Sequence, residues 1–137
     1  MDGSGGYPAA TREGEVMGTS VVAECRCGYH ASGSVGGGMF DFEDVCWFPC
    51  LCEGCHAMVD VNLFETPLRC PTCRSERVAA YDDAGLSLPP ESQELYSIAD
   101  WNVAPRIGRP LQLTNGRYRC PKCGQMSLQF RMDGLWD

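Results

Sequence analysis

Short alternations of apolar and polar residues, bounded by glycine, proline or cysteine, recur along the chain from residue 21 onward. A two-residue period over so short a run is typical of a β-strand whose two faces meet different surroundings. The pattern predicts strands over residues 21–24, 29–35, 57–63, 77–81, 117–119 and 127–132. We therefore expect a small β-rich fold with few helices.

Two stretches lack this pattern. Residues 1–20 are rich in glycine, serine, alanine and glutamate without an apolar period, which predicts a disordered leader. Residues 82–104 are acidic and broken by Pro89-Pro90, which indicates a linker with one or two helical turns at most and with three apolar anchors, Leu95, Tyr96 and Trp101. The expected division of the chain is a leader over 1–20, an N-terminal hairpin with an inner ribbon over 21–81, the acidic linker over 82–104, and a C-terminal hairpin over 105–137 that completes an outer site.

Cysteine is the residue that changes this picture most. The hydrophobic fraction of the 137 residues is 44%, but ten cysteines are part of it, and the chain also has 16 glycines and 9 prolines. Small loop-rich domains with so thin an apolar core need disulfides or a structural metal. No stretch has the pattern of a signal peptide or a membrane span, so we expect a cytoplasmic protein without membrane contact. In that reducing compartment, C-x2-C pairs favour metal thiolates over disulfides.

The strongest motif joins Cys52-x2-Cys55 to Cys70-x2-Cys73, with fourteen residues between the pairs. Two thiolates three positions apart on a tight turn face the same ion, and a second such turn completes a tetrahedron with metal–sulfur distances of about 2.3 Å. This spacing is typical of zinc ribbons. We therefore predict an inner zinc site with four ligands, Cys52, Cys55, Cys70 and Cys73.

A second half-site, Cys120-x2-Cys123 followed by Gly124, has no downstream partner. The unassigned turn upstream is Cys25-x-Cys27 followed by Gly28, a shortened half-site with a glycine where the turn requires a left-handed residue. Pairing the two turns predicts an outer zinc site that brackets the inner one and ties the two ends of the fold together. Its ligands are Cys25, Cys27, Cys120 and Cys123.

Cys46 and Cys50 leave alternatives open. They would replace the C-terminal pair beside Cys25 and Cys27, form a redox dithiol, or join His30 and His56 at a third ion. The interpretation that we favour is that they are buried apolar thiols. The two histidines are then surface residues or neighbours of ligands rather than ligands themselves.

These turns resemble the zinc-ribbon, rubredoxin-like group in a double arrangement. The residues that carry the resemblance are CRCGYH at 25–30, CEGC at 52–55, CPTC at 70–73 and CPKCG at 120–124. The wider pattern, with VNL at 61–63 and LWD at 135–137, is similar to small, mostly uncharacterised bacterial zinc-ribbon proteins. The chain departs from the group where His56 and Arg74 stand in place of its usual glycine, and where Cys25-x-Cys27 is one residue short. The resemblance implies metal binding and a structural or docking role.

Three functions follow from this chemistry. We expect a structural zinc-binding protein, with two zinc ions, that acts as a protein-interaction module and is not an enzyme, because four thiolates leave no open position at the metal. Another protein is the expected partner. The same sulfur ligands also hold iron, so a rubredoxin-like electron carrier is the alternative. The aromatic residues Trp47, Phe48, Trp101 and Trp136 either contact a partner or, as we favour, form the core.

Nucleic-acid binding is the third hypothesis. Residues 105–137 are locally basic, and Tyr118 lies between Arg117 and Arg119, a combination that suits a phosphate backbone and a stacked base. The net charge of −7 argues against it, since nucleic-acid binders normally present a basic surface.

Overall fold

A computed structural model gives the structure of the protein over residues 18–37, 44–91, 93–101 and 107–136, with the backbone alone at 135–136. A short 3-10 turn, Ala84–Leu86, lies near the middle of the chain. The expectation of a small β-rich fold is confirmed. Within the described ranges the strands are β1 Gly18–Cys25, β2 His30–Val35, β3 Trp47–Cys52, β4 Ala57–Asn62, β5 Val78–Ala80, β6 Ser87–Leu88, β7 Ser97–Trp101, β8 Leu111–Thr114, β9 Arg117–Arg119 and β10 Met126–Trp136.

The largest sheet is antiparallel and brings the first and last of these strands side by side. Its order is β2-β1-β10-β9-β6, and β1 pairs with β10 along its whole length, with Cys25 opposite Leu128. A register shift between Ser20 and Val21 marks a bulge in this pairing. Because the end of β1 lies against the start of β10, the β1–β2 turn and the β9–β10 turn emerge at the same edge of the sheet.

A second antiparallel sheet has the order β4-β3-β5. Its central strand β3 is an almost continuous buried run, WFPCLC, as expected of a strand that is covered on both faces. Cys52 at the end of β3 pairs with Ala57 on one side and with Val78 on the other. The β3–β4 turn and the segment leading into β5 therefore meet at one edge. A two-stranded ladder of β7 and β8 completes the strand pairing.

The core lies where these sheets meet. Tyr81, immediately after β5 of the three-stranded sheet, makes edge-to-face contacts with Tyr118 and Phe130 of the large sheet, with ring centroids 5.9 and 5.6 Å away. Gly36 has a φ of +97° and lies so close to the Trp101 ring that a Cβ there would be 2.6 Å from Cδ2. The largest fully buried side chains include Tyr81, Phe48, Leu111, Leu113, Leu128, Val21 and Val35.

Three details differ from the sequence-based division. Strand β1 begins at Gly18, so residues 18–20 of the expected leader belong to the sheet, and the remainder of that leader lies outside the described residues. The expected acidic linker 82–104 contains β6 and β7, because Ala99 and Trp101 alternate into the core. Of the three expected anchors, Trp101 is buried, whereas Leu95 and Tyr96 are exposed. No helix in the described ranges is long and apolar enough to cross a bilayer.

Candidate metal centres

The inner sulfur group is built at the edge of the three-stranded sheet. Cys52 ends β3, Cys55 lies in the β3–β4 turn, and Cys70 and Cys73 lie in the turn before β5. The Sγ atoms of Cys52 and Cys73 are 3.6 Å apart, as are those of Cys55 and Cys70. All four sulfur atoms lie within 4.8 Å of one another. The structure thus brings together the four cysteines predicted for the inner site.

The outer sulfur group is built at the edge of the five-stranded sheet. Cys25 ends β1, Cys27 lies in the β1–β2 turn, and Cys120 and Cys123 lie between β9 and β10. Two Sγ–Sγ distances, Cys25 to Cys123 and Cys27 to Cys120, are both 3.7 Å. The four sulfur atoms again lie within 4.8 Å of one another. The C-terminal turn therefore meets the shortened N-terminal turn, and Cys46 and Cys50 do not replace it.

These spacings fit a shared tetrahedral cation. Four sulfur atoms at about 2.3 Å from a central zinc ion are separated from each other by about 3.8 Å. The observed distances of 3.6 and 3.7 Å are close to that value. They are far longer than the roughly 2.05 Å of a disulfide bond, and all ten cysteines are free thiols. The donor set and its geometry therefore suit two tetrathiolate metal sites.

Backbone amides point at the sulfur atoms of the first cysteine in each turn. Such N–H···S bonds stabilise a thiolate before and after it binds a cation. In the inner group the amides of Thr72 and Cys73 both donate to the Cys70 sulfur, at 3.3 and 3.4 Å. The others are Cys55 N to Cys52 Sγ at 3.4 Å, Cys27 N to Cys25 Sγ at 3.5 Å and Lys122 N to Cys120 Sγ at 3.4 Å.

Each cysteine turn also contains a residue in the left-handed backbone region. Gly124 closes its turn with an N–H donated to the Cys120 carbonyl at 2.9 Å, and Arg74 does the same to Cys70 at 2.9 Å. Gly28 closes the shorter turn one residue earlier, to the Cys25 carbonyl at 2.9 Å. The φ angles are +101° for Gly28, +75° for Gly124, +65° for Arg74 and +54° for His56. The two departures from glycine thus occupy strained positions, which cost a side-chain-bearing residue about 1 kcal/mol each.

The thiols of each group have divergent acidities. Burial raises the pKa of Cys70, but the amides of Cys73 and Thr72 outweigh it and lower that pKa to about 6. The pKa of Cys55 is raised to about 12 because its thiol donates to Cys73 and Cys70. In the outer group burial likewise opposes the amide of Cys27 and the Ser127 hydroxyl, which lower the pKa of Cys25 to about 6. Four thiolates at one site therefore require a cation to balance their charge.

Cys46 and Cys50 belong to neither group. Both are fully buried, with the Cys46 amide donating to Asn62 Oδ1 at 2.9 Å and the Cys50 thiol directed at the Phe48 carbonyl at 3.5 Å. Burial raises the pKa of Cys46 to about 11 and that of Cys50 to about 12. They therefore behave as apolar core residues, as the favoured interpretation expected.

The predicted histidine and aromatic candidates lie outside both sulfur groups. His30 and His56 are exposed and lie in neither four-sulfur group of the described chain. Tyr118 is 2% exposed, so it has no free ring face on which a base could stack. The Arg117 guanidinium binds the Pro89 carbonyl and Glu91.

The aromatic candidates are mostly core residues. Phe48 and Trp101 are buried and Trp47 is half-buried. The side chain of Trp136 lies outside the described residues.

Sequence reasoning missed Ser127. Its hydroxyl lies 3.1 Å from the Cys25 sulfur and 4.0 Å from that of Cys123. A hydroxyl donor at this distance stabilises the charge of a metal-bound thiolate. No motif signals it, because Ser127 reaches Cys25 only through the pairing of β10 with β1.

The protein is small and β-rich, and its two tetra-cysteine groups fit zinc-ribbon-like sites. No protein-family model, curated protein or solved structure matches this chain. The likeness to zinc ribbons therefore rests on the four cysteine turns and on their geometry.

Proposed function

We propose that this chain is a structural zinc protein that holds two zinc ions and acts as a protein-interaction module. The observation that carries the proposal is the pair of closed four-sulfur groups, with sulfur–sulfur distances of 3.6 and 3.7 Å. Cys52, Cys55, Cys70 and Cys73 would hold one ion, and Cys25, Cys27, Cys120 and Cys123 the other.

The two metal ions would supply folding free energy that the small apolar core does not provide. The inner ion would join the β3–β4 turn to the segment before β5, and the outer ion would join the β1–β2 turn to the β9–β10 turn. Binding free energy at such sites is folding free energy, because the unfolded chain has no preformed site. Removal of the metal is therefore expected to unfold the protein.

An interaction role is favoured over catalysis. Four cysteines complete a tetrahedron, so neither substrate nor water finds an open position at the ion. Each tetrathiolate also carries a net charge of about −2, which adds to the formal −7 of the chain. So acidic a surface suits a protein partner better than a nucleic acid.

Metal analysis and thiol counting on the purified full-length chain test this proposal. We expect two zinc ions per chain, ten thiols after denaturation with a chelator, and loss of the strand signal in circular dichroism when the chelator is added under native conditions. A chain that stays compact and cooperatively folded after metal removal would contradict a structural role. Thiols found linked in pairs would contradict it as well.

Iron is the second candidate, and the backbone amides are compatible with it. The same N–H···S bonds that steady a zinc site raise the reduction potential of an iron tetrathiolate. Cys27 and Cys123 are exposed, which would give an electron a short path to the outer site. Visible absorption separates the two metals, because a ferric tetrathiolate is red and zinc is colourless. A red protein with stoichiometric iron would replace the zinc assignment.

A further inference from the structure

Large apolar side chains are exposed in one short stretch of the chain. Leu88, Leu95 and Tyr96 are 41%, 63% and 57% exposed. Among the described residues one other large apolar side chain is comparably exposed, Met132 on β10 at 56%. Three such residues within nine positions, in a chain whose apolar core is small, indicate a surface that is reserved for contact.

This stretch borders a groove of about 460 Å³. Its apolar lining consists of Leu88, Leu95, Pro89 and Pro110, and the rings of Tyr81 and Tyr118 also border it. Its polar lining consists of Ser87, Gln112, Thr114 and the ion-paired side chains of Asp82 and Arg109. Because the two charged lining residues neutralise each other, the leucines and prolines of the groove suit an apolar side chain of a partner.

Hydrogen bonds from Arg117 and Asn115 fix the backbone of the segment that carries the exposed residues. The Arg117 guanidinium donates to the Pro89 carbonyl at 3.2 and 3.3 Å and to Glu91 at 3.1 Å. Asn115 donates to the Glu94 carbonyl at 2.9 Å and accepts from the Tyr96 amide at 2.8 Å. The segment that presents Leu95 and Tyr96 is thus preorganised, which lowers the entropy lost when a partner binds.

The unpaired charge on the segment that borders the groove is negative. Residues 82–101 contain five acidic residues and no lysine or arginine. Two of them are neutralised, Asp82 by Arg109 and Glu91 by Arg117. Glu94 and Asp100 are exposed and have no ion pair within the described part of the chain. Glu94 precedes the lining residue Leu95, and Asp100 pairs with the lining residue Gln112. Negative charge beside the groove attracts a basic partner and repels a phosphate backbone.

We propose that this groove is the docking site of the module, and that it binds a segment of a partner protein in which an apolar side chain is flanked by lysine or arginine. The inference rests on the proposed interaction role and names the chemistry of the partner. The apolar side chain enters between Leu88 and Leu95, and the basic residues face Glu94 and Asp100. Strand addition at β6 is disfavoured, because Pro89 and Pro90 follow its two residues and offer no N–H.

Selection from a library of random 12-residue peptides displayed on phage tests this inference, with the zinc-loaded full chain as bait. We expect the enriched peptides to carry lysine or arginine next to leucine, methionine or phenylalanine. Synthetic copies should bind at least tenfold more weakly to Leu88→Ser and to Leu95→Ser. Met132→Ser is the matched control, because it removes an equally exposed apolar side chain from β10 and should leave binding unchanged.

Charge is tested separately with Glu94→Gln and Asp100→Asn. Each should weaken binding two- to fivefold, and added salt should reduce the affinity of the native chain. Enriched peptides that lack basic residues, or that bind Leu95→Ser as tightly as the native chain, would overturn the groove assignment while leaving an interaction role elsewhere on the surface. Failure to enrich any peptide on a chain that is folded and zinc-loaded would overturn both.

A second copy of this chain is the competing occupant. Sedimentation of the native chain and of Leu95→Ser decides between the two. We expect a monomer in both cases. A native dimer that dissociates in the variant would replace the partner segment with self-association.

Discussion

The hydroxyl of Tyr81 donates a hydrogen bond of 2.8 Å to the carbonyl oxygen of Arg119, the residue immediately before Cys120. Tyr81 follows β5 of the three-stranded sheet, which carries the inner sulfur group, so this bond joins that sheet to the Cys120–Cys123 turn of the outer group. A second tyrosine also joins the two sheets. Tyr29, which follows Cys27 in the β1–β2 turn, accepts a hydrogen bond from the Met58 amide of β4 at 2.8 Å. Burial raises the pKa of Tyr81, which keeps its hydroxyl protonated as a donor.

Removal of this hydroxyl with Tyr81→Phe should therefore affect both sites. The change leaves the Arg119 carbonyl without its partner, and we expect a loss of about 1–2 kcal/mol in the free energy of unfolding. In the native chain a chelator should remove both ions in one cooperative step, whereas in the variant the two steps should separate. Competition with a chromogenic chelator measures this.

Tyr118→Phe is the control for that experiment. Its hydroxyl accepts from the Thr114 amide at 2.8 Å, which joins β9 to β8 and does not involve the three-stranded sheet. The variant should lose comparable stability without separating the two release steps. Equal separation in both variants would show that general destabilisation, and not the bond between the ribbons, is responsible.

The assignment of ligands is tested with two cysteine substitutions. Cys70→Ser removes a sulfur from the inner group and should abolish the soluble fold, since metal binding and folding are coupled. Cys46→Ser places a hydroxyl at a buried position outside both groups and should cost only about 1–2 kcal/mol. Soluble yield and zinc content measure the difference. Equal damage from both would refute the assignment.

Substitutions at two left-handed positions, Arg74 and Gly124, should change stability in opposite directions. Arg74→Gly relieves strain at a φ of +65° and should stabilise the chain by about 0.5 kcal/mol once the added freedom of the unfolded state is counted. Gly124→Ala introduces strain at a φ of +75° and should destabilise it by about 1 kcal/mol. A Cβ at Gly124 meets nothing within 4 Å, so its effect is purely conformational. Denaturant unfolding of the zinc-loaded chain is the measurement, and a loss of stability in Arg74→Gly would contradict the argument.

Gly36 is predicted to be far less tolerant. Gly36→Ala adds a methyl group 2.6 Å from the buried Trp101 ring, in addition to strain at a φ of +97°. We expect a loss of at least about 2 kcal/mol. Gly28→Ala, where φ is +101° but no atom lies within 4 Å of the added Cβ, is the matched control and should cost about half as much. Indistinguishable losses from the two variants would show that the contact with Trp101 is unimportant.

The cysteine turns were the part of the fold most accessible from sequence. A C-x2-C turn is a local motif, and the strands next to such turns alternate clearly, as in β2 and β9. The same logic failed for β3, whose run WFPCLC has no alternation because both faces of a central strand are buried. It also failed for β7, where the acidic surroundings concealed the alternation of Ala99 and Trp101.

The long-range features were beyond such reasoning. The pairing of β1 with β10 depends on residues that are about a hundred positions apart, and no local pattern specifies it. Ser127 acquires its role only through that pairing, and Tyr81 acquires its role through the packing of the three-stranded sheet on the large sheet. The grouping of the outer cysteines was accessible by elimination, because one half-site had no neighbour of its own.

The two sulfur groups differ in how much chain must be in place before each one can form. Paired sulfur atoms are 15 and 21 residues apart in the inner group, but 93 and 98 in the outer group. A shorter loop closes at a lower entropic cost, and on the ribosome the inner set is synthesised as soon as Cys73 emerges. We therefore expect the two sites to take up metal at two separate stages of biosynthesis. Between these stages the nascent chain is partly folded, and Cys25 and Cys27 have no partners until Cys120 and Cys123 are synthesised.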